Sequence, residues 1–274
     1  MSITSSVIIT TYNKPKELEM VLCGLSMQKT APTEILIADD GSSHETASVI
    51  NKWQQICSPP VIHVWHADDG FQKPLICDKA VKAARGEYLI FIDGDSIPDP
   101  YWVQDHLKAV RENTVLCGRR VRLGPKVSKS IDLEAVQSRK LRTFSKKVLL
   151  SALNKDTKRL ALGIRVPMFL ARLLHPKERR LMGVNFSLHK ELFQRLGGYR
   201  AAAGEYMKAK QRCREDAQLE ILLIKNGVRR FPLINRAIVY HLYHPERPLR
   251  EGFDAKVKAR YLQALQERDK LFQQ

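Results

Sequence analysis

Residues 88–98 read YLIFIDGDSIP. The first five are apolar or aromatic and carry no charge, the composition of a strand buried on both faces. Asp93 and Asp95, flanking Gly94, then close it. Carboxylates at the end of a buried strand are costly unless something neutralises them. Their hard oxygens suit Mg²⁺ or Mn²⁺, a metal that can complete its shell with diphosphate oxygens. The alternative for the same residues is a turn in which Asp93 and Asp95 cap a helix starting near Pro100.

Upstream of this stretch, β-branched runs alternate with helical periodicity. SVIIT (6–10), EILIADD (34–40) and VIHVW (61–65) are predicted strands. The segments Pro15–Gln28, Glu45–Cys57 and Leu75–Arg85 are predicted helices, the first with Leu18, Val21, Leu22 and Leu25 at helical spacing. This β-α-β-α order implies an α/β fold: a Rossmann-like, mostly parallel sheet with helices on both faces. Ligands of such sheets bind outside the carboxyl ends of the strands. Polar residues gather there: Thr11-Tyr12-Asn13 after the first strand, Asp39 to Ser42 after the second, Asp68-Asp69-Gly70 soon after the third, and Asp93 to Asp95 after the fourth.

Beyond about residue 119 the alternation stops. The net charge of +17 is concentrated here, because Arg119 to Arg180 holds 18 lysines and arginines and only four acidic residues. Leu141, Phe144 and Val148 share one side of a predicted helix whose other side carries Arg139, Lys140, Arg142, Lys146 and Lys147. Pro167 suits a helix start before MFLARLLHPK. Apolar residues flanked by basic ones describe either a solvated insertion or an interfacial surface that docks on anionic headgroups, and the second reading is favoured. Past Leu181 come the strand-like GVNFSLH, a helix from Lys190 to the Gly197-Gly198 pair, a helix from about Glu215 to Asn226 closed by Gly227, and a solvated, charged helix from Asp254 to Gln274.

The five cysteines are odd in number, widely spaced and without paired metal-ligand spacing, so they read as reduced. The N-terminal run MSITSSVIITTYN lacks a basic region and is too short for a signal peptide or a span, which implies a cytoplasmic protein.

SVIITTYN, EILIADDGS, GFQKP and GEYLIFIDGDSIPDPYW, in that order and spacing, resemble the donor-binding half of family 2 glycosyltransferases over about residues 5–120. The resemblance implies a GT-A fold and an enzyme that moves a sugar, with inversion, from a nucleotide-diphosphate donor, a UDP-sugar first among them. It places Asp40 at the base, Thr11, Tyr12 and Asn13 along the nucleotide, Asp93 at the ribose, Asp95 at the metal and Lys73 facing the diphosphate. A solvated lysine remains the alternative for Lys73. The run MGVNFSLHKELFQRLGGYR, followed by REDAQLEILLIKNG, looks like the acceptor-side segment shared with the β-1,4-galactosyltransferase group. By that likeness Asp216 is the base that deprotonates the acceptor hydroxyl, and Glu215 bonds the acceptor sugar. An ordinary acidic first helical turn is the alternative. In VYHLYHP, His241 is preferred over His244 as a further metal ligand, and a structural histidine is the alternative. Two departures stand out: MKAKQRCRED replaces the glycine and tryptophan usual before the acidic pair, and Asp78 stands where asparagine is usual, its role open.

The chain is thus expected to comprise a nucleotide-sugar half (1–120), a basic helical insertion (121–180), an acceptor and catalytic half (181–250) and a C-terminal helix (251–274). The implied partners are a nucleotide sugar, a glycan or glycolipid acceptor of the lipopolysaccharide or capsule type, and an anionic membrane surface on the inner face of the cytoplasmic membrane. Two rivals are weaker. A nucleotidyltransferase would open with a Gly-rich basic loop, and TTYNKPKE is not one. A nucleic-acid-binding module would interleave aromatics with its basic residues, and Arg119 to Arg180 offers only Phe144 and Phe169.

Overall fold

A computed structural model describes residues 3–138, 146–154, 156–204, 214–245 and 253–271. The first half builds β1 (Ser5–Thr11), α1 (Pro15–Ser26), β2 (Glu34–Asp39), α2 (His44–Ile56), β3 (Val61–Trp65), α3 (Lys73–Ala83) and β4 (Tyr88–Asp93) in strict alternation. It continues through β5 (Ser96–Pro98), α4 (Trp102–Lys108), β6 (Thr114–Cys117) and β7 (Arg120–Arg122). Short helices follow: α5 (Pro125–Lys129), α6 (Leu133–Gln137), α7 (Lys146–Leu153), a 3₁₀ turn (Leu160–Gly163) and α8 (Met168–Leu174). The remainder is β8 (Asn185–His189), α9 (Lys190–Arg195), α10 (Gly198–Ala203), α11 (Glu215–Lys225), β9 (Arg229–Pro232), β10 (Val239–His241) and α12 (Phe253–Leu271).

Seven strands form the main sheet in the order β3-β2-β1-β4-β8-β6-β9, and β8 alone runs antiparallel to its neighbours. Alternation along β1 divides the core: Val7 and Ile9 pack with α1, α2 and Trp102, whereas Ile8 packs with Leu36, α3, α9 and α11 on the opposite face. From β1 the chain moves outward to β2 and β3, then returns to place β4 on the other side of β1. That reversal opens a crevice at the carboxyl ends of β1 and β4. The register aligns the polar residues there, with Thr11 opposite Asp39 and Thr10 opposite Asp93.

A second, three-stranded sheet, β5-β10-β7, seats β10 against the segment following the acidic pair: His241 is in register with Ser96 on one side and with Arg122 on the other. This small sheet brings His241, and His244 just after it, to Asp95.

Several expectations change. The helix from Lys190 ends at Arg195, and Gly198 opens α10 instead of ending a helix. Asp78 explains why: its carboxylate accepts the Tyr199 and Arg200 amides at 2.9 Å each, holding the first turn of α10. The last helix is docked, not merely solvated, because Val257 and Ala264 are buried against Ile221 and Ile224 of α11. Arg139, Lys140, Leu141, Arg142 and Phe144, and the stretch MKAKQRC (207–213), lie outside the described residues; Val148 is buried. Among the described residues no helix is long and apolar enough to cross a membrane. Four of the five cysteines are described, and these four are free thiols.

Candidate active site

A cleft of about 310 Å³ opens at the β1/β4 crevice, lined by Thr10, Thr11, Tyr12, Lys14, Asp40, Asp68, Lys73, Asp93, Asp95, Glu215 and His244 among others. Two glycines let its walls approach. Gly41 has φ +91°, and a Cβ there would fall 2.5 Å from Asp68 Cα; a Cβ on Gly94 would fall 2.9 Å from the Thr10 carbonyl oxygen.

Along one wall, Asp40 accepts the Gln72 amide at 3.0 Å, and its other oxygen lies 2.9 Å from His66 Nε2. Burial pushes the Asp40 carboxyl up, and the bonds from His66 and Gln72 oppose that shift. Tyr12 donates to Asp68 at 2.7 Å. Asn13, with φ +49°, spends its side chain on the Ser43 amide at 2.8 Å, tying the β1–α1 loop to the β2–α2 loop. Its side chain holds the loops together.

The floor is ionic. Lys73 stands 2.9 Å from Asp93 and 3.0 Å from Glu215, and Thr10 donates to Asp93 at 2.9 Å. Burial alone would raise the Asp93 carboxyl; the Lys73 charge and the Lys73 and Thr10 hydrogen bonds outweigh it and hold that carboxyl well below the usual range. Lys73, which burial would push down, is driven well above its ordinary value by Asp93 and Glu215. Lys73 is thus an ion-paired residue and not a solvated one. Asp93 and Asp95 do not cap the next helix: that start is organised by Asp99, whose carboxylate accepts the Tyr101 amide at 3.0 Å.

Asp95 forms a second corner. Its carboxylate lies 3.5 Å from His241 Nε2 and 3.5 Å from His244 Nε2, and Lys14 donates to it at 2.7 Å. One ligand atom from each of Asp95, His241 and His244 falls within a 4.8 Å span. One carboxylate and two imidazoles are a donor set that fits Mn²⁺ or another borderline divalent cation. Burial pushes His241 down to about 4, with the Asp95 charge opposing, so at neutral pH its imidazole carries a free lone pair. The sequence reading preferred His241 over His244; both reach Asp95. It missed Lys14 and His66, which carried no pattern marking them apart from solvated residues.

Asp216 sits in the first turn of α11, where it accepts the Ala217 amide at 2.8 Å and the Gly183 amide at 3.4 Å. Burial, and then the Glu215 charge, push its carboxyl above the ordinary range, with Lys73 opposing. Asp216 and His241 do not line the cleft, whereas Glu215 does and also pairs with Lys73.

A sheet of this order, with an acidic crevice at its switch point and a carboxylate–imidazole corner beside it, has the layout that the sequence likeness implies for a GT-A fold. The family model described as "Glycosyl transferase family 2" matches residues 6–168, more than half of the chain. The chain belongs to that family. It is 32% identical over 118 residues to chondroitin synthase of Escherichia coli, an alignment covering 42% of this chain and only 17% of that protein. Its fold resembles that of the mannosyltransferase PcManGT from Pyrobaculum calidifontis, solved with GDP-Man and Mn²⁺, at 16% identity and a TM-score of 0.56 over 100% of this chain and 65% of the other. It also resembles glucosyl-3-phosphoglycerate synthase from Mycobacterium tuberculosis, solved with Mn²⁺ and UDP, at 18% identity and a TM-score of 0.51 over 96% and 80% of the two chains.

Proposed function

We propose that this chain is an inverting glycosyltransferase that transfers a sugar from a nucleoside-diphosphate donor, UDP-linked in the first instance, to a hydroxyl of a lipid-linked or polysaccharide acceptor. The observation that carries the reading is the pairing of one cleft's two corners: Asp93–Lys73–Glu215 on its floor and Asp95 with His241 and His244 beside it. The solved mannosyltransferase and glucosyl-3-phosphoglycerate synthase hold Mn²⁺ with a nucleotide, which supports the same ligand class here.

In this reading Asp40 and the Thr11-Tyr12-Asn13 turn hold the nucleoside, and Asp93 faces the ribose. Asp95, His241 and His244 would hold Mn²⁺ or Mg²⁺, which when bound neutralises charge on the departing diphosphate. Lys73, fixed between two carboxylates, faces the same diphosphate with its charge already oriented. Asp216, at the N-terminus of α11, takes the proton from the acceptor hydroxyl as it attacks the anomeric carbon from the face opposite the leaving group. Its carboxyl, raised by burial, is better matched to that task than a solvated aspartate. Glu215 keeps Lys73 in place and flanks the acceptor sugar. The functional division follows the sequence: donor half 1–120, basic insertion 121–180, acceptor half 181–250 and C-terminal helix 251–274.

The insertion supports a docking role at an anionic membrane. Leu150 and Leu153 on α7 are 59% and 71% exposed, and Phe169, Leu173 and Leu174 on α8 are 64%, 71% and 60% exposed, within the segment richest in lysine and arginine. Apolar side chains that insert, ringed by cations that meet headgroups, match a bilayer carrying anionic lipid. An enzyme so placed on the inner face of the cytoplasmic membrane reaches a lipid-linked glycan of the lipopolysaccharide or capsule type. The test of the activity is a donor screen: thermal shift with UDP- and GDP-sugars, with and without Mn²⁺. Stabilisation by one nucleotide sugar that requires the metal supports the reading; equal response to none of them removes it.

A further inference from the structure

Strand β7 lays a second set of cations against the metal-type corner. Arg120 is in parallel register with Val239 and Arg122 with His241, so both arginines project from the face of the small sheet that carries His241. That face is the one turned to Asp95, which His241 approaches to 3.5 Å. Arg122 also exchanges backbone hydrogen bonds with Lys158, at 3.0 and 2.8 Å, which brings Arg159 alongside at φ +61°. Arg120 Nε is shut off from solvent and has no hydrogen-bond partner among the described residues. A buried donor left without a partner is costly, and an arginine held that way is poised for an acceptor atom that arrives with a ligand.

The donor cleft has cations of its own. Its cations are Lys14 and Lys73, both committed to carboxylates, and neither Arg120 nor Arg122 lines it. Both arginines come from β7, outside the elements that line the nucleotide-type cleft. A guanidinium fork matches the paired oxygens of a phosphate or carboxylate.

We infer that Arg120, with Arg122 and Arg159 beside it, forms an oxyanion subsite that takes a phosphate or carboxylate group of the acceptor. The inference rests on the donor-cleft reading above. The electrostatics agree: burial lowers Arg120 from its ordinary value, Asp93 and Asp95 oppose that shift, and Arg122 and Arg159 reinforce it.

The test uses the full chain saturated with UDP and Mn²⁺, titrated calorimetrically with inorganic phosphate and, separately, with glucuronate. The expected result is binding of at least one anion, weakened about tenfold or more in Arg120→Gln and partly restored in Arg120→Lys, with UDP affinity moved less than about twofold. Arg159→Gln, at an exposed position, is expected to weaken the same anion by a smaller factor and guards against misfolding of the first variant. A chain that takes UDP with Mn²⁺ but neither anion overturns the subsite alone. Anion binding indifferent to Arg120→Gln overturns it as well, since the metal would then be the site. Loss of UDP affinity equal to loss of anion affinity reassigns Arg120 to the donor. A chain that takes no UDP with Mn²⁺ sinks the donor-cleft reading, and the acceptor subsite with it.

Discussion

Lys73 Nζ stands 2.9 Å from Asp93 Oδ1 and 3.0 Å from Glu215 Oε1, so one ammonium ties the end of β4 to the first turn of α11. The tie joins an element from each half of the chain at the floor of one cleft. Lys73→Met leaves two largely buried carboxylates facing each other without a counter-charge. It is expected to cost about 3 kcal/mol of stability by urea unfolding and to weaken nucleotide binding in calorimetry. Unchanged stability would mean that the pair is solvated and idle.

Asp216 offers the pH signature. A base works in its ionised form, and burial raises this carboxyl, so turnover is expected to fall as pH drops through a value above the usual aspartate range. Asp216→Asn is expected to reduce kcat by roughly 10²–10⁴-fold while the affinity for UDP with Mn²⁺ holds within about twofold. A variant with near-normal turnover removes Asp216 from the base role.

Buried Arg230 predicts where stability is most easily lost. It donates to Glu220, which is fully buried, at 2.8 Å, to Tyr261 of α12 at 2.9 Å and to Glu178 at 2.8 Å. Arg230→Met leaves the buried Glu220 carboxylate with only the half-exposed Arg180, 3.2 Å away, as counter-charge and removes one bond to α12, an expected loss of about 3 kcal/mol in chemical denaturation. Arg230→Met with Glu220→Leu is expected to recover most of it, because an apolar pair leaves no charge buried.

For the membrane surface, Phe169→Glu with Leu173→Glu changes two exposed side chains outside the cleft. Co-sedimentation with vesicles containing anionic lipid is expected to drop about tenfold or more, and neutral vesicles are expected to retain little of either protein. Equal binding to both vesicle types would leave the exposed leucines unexplained by lipid.

Much of the fold was readable because β1, β2 and β4 are each built on an uninterrupted apolar run that ends in a polar cluster: SVIITTYN and YLIFIDGD declare both the strand and its functional end. Asp93, Asp95 and Asp40 were legible for that reason. Of the partners that complete their corners, Lys73 and His241, with His244 as its rival, were named through the family likeness, and Lys14, His66 and Arg120 were not. Strands β5, β7 and β10 are three residues each, too short for any periodicity, yet their pairing delivers His241, His244 and Arg120 to Asp95. Lys14 follows a strand like any loop lysine, and only the tertiary fold sets it 2.7 Å from Asp95. The C-terminal helix reads as solvated because its buried contacts rest on a few residues such as Val257 and Ala264 among many charges. Asp78 became interpretable only when α10 was found to begin at its carboxylate.

The central claim is that the carboxylate–imidazole corner at Asp95 grips a cation shared with a diphosphate. Anomalous diffraction from crystals soaked with MnCl₂ and UDP tests it directly. The account expects a manganese peak bounded by Asp95, His241 and His244, with diphosphate density beside it, and loss of that peak in Asp95→Ala. UDP seated in the cleft with no manganese at that corner would contradict it.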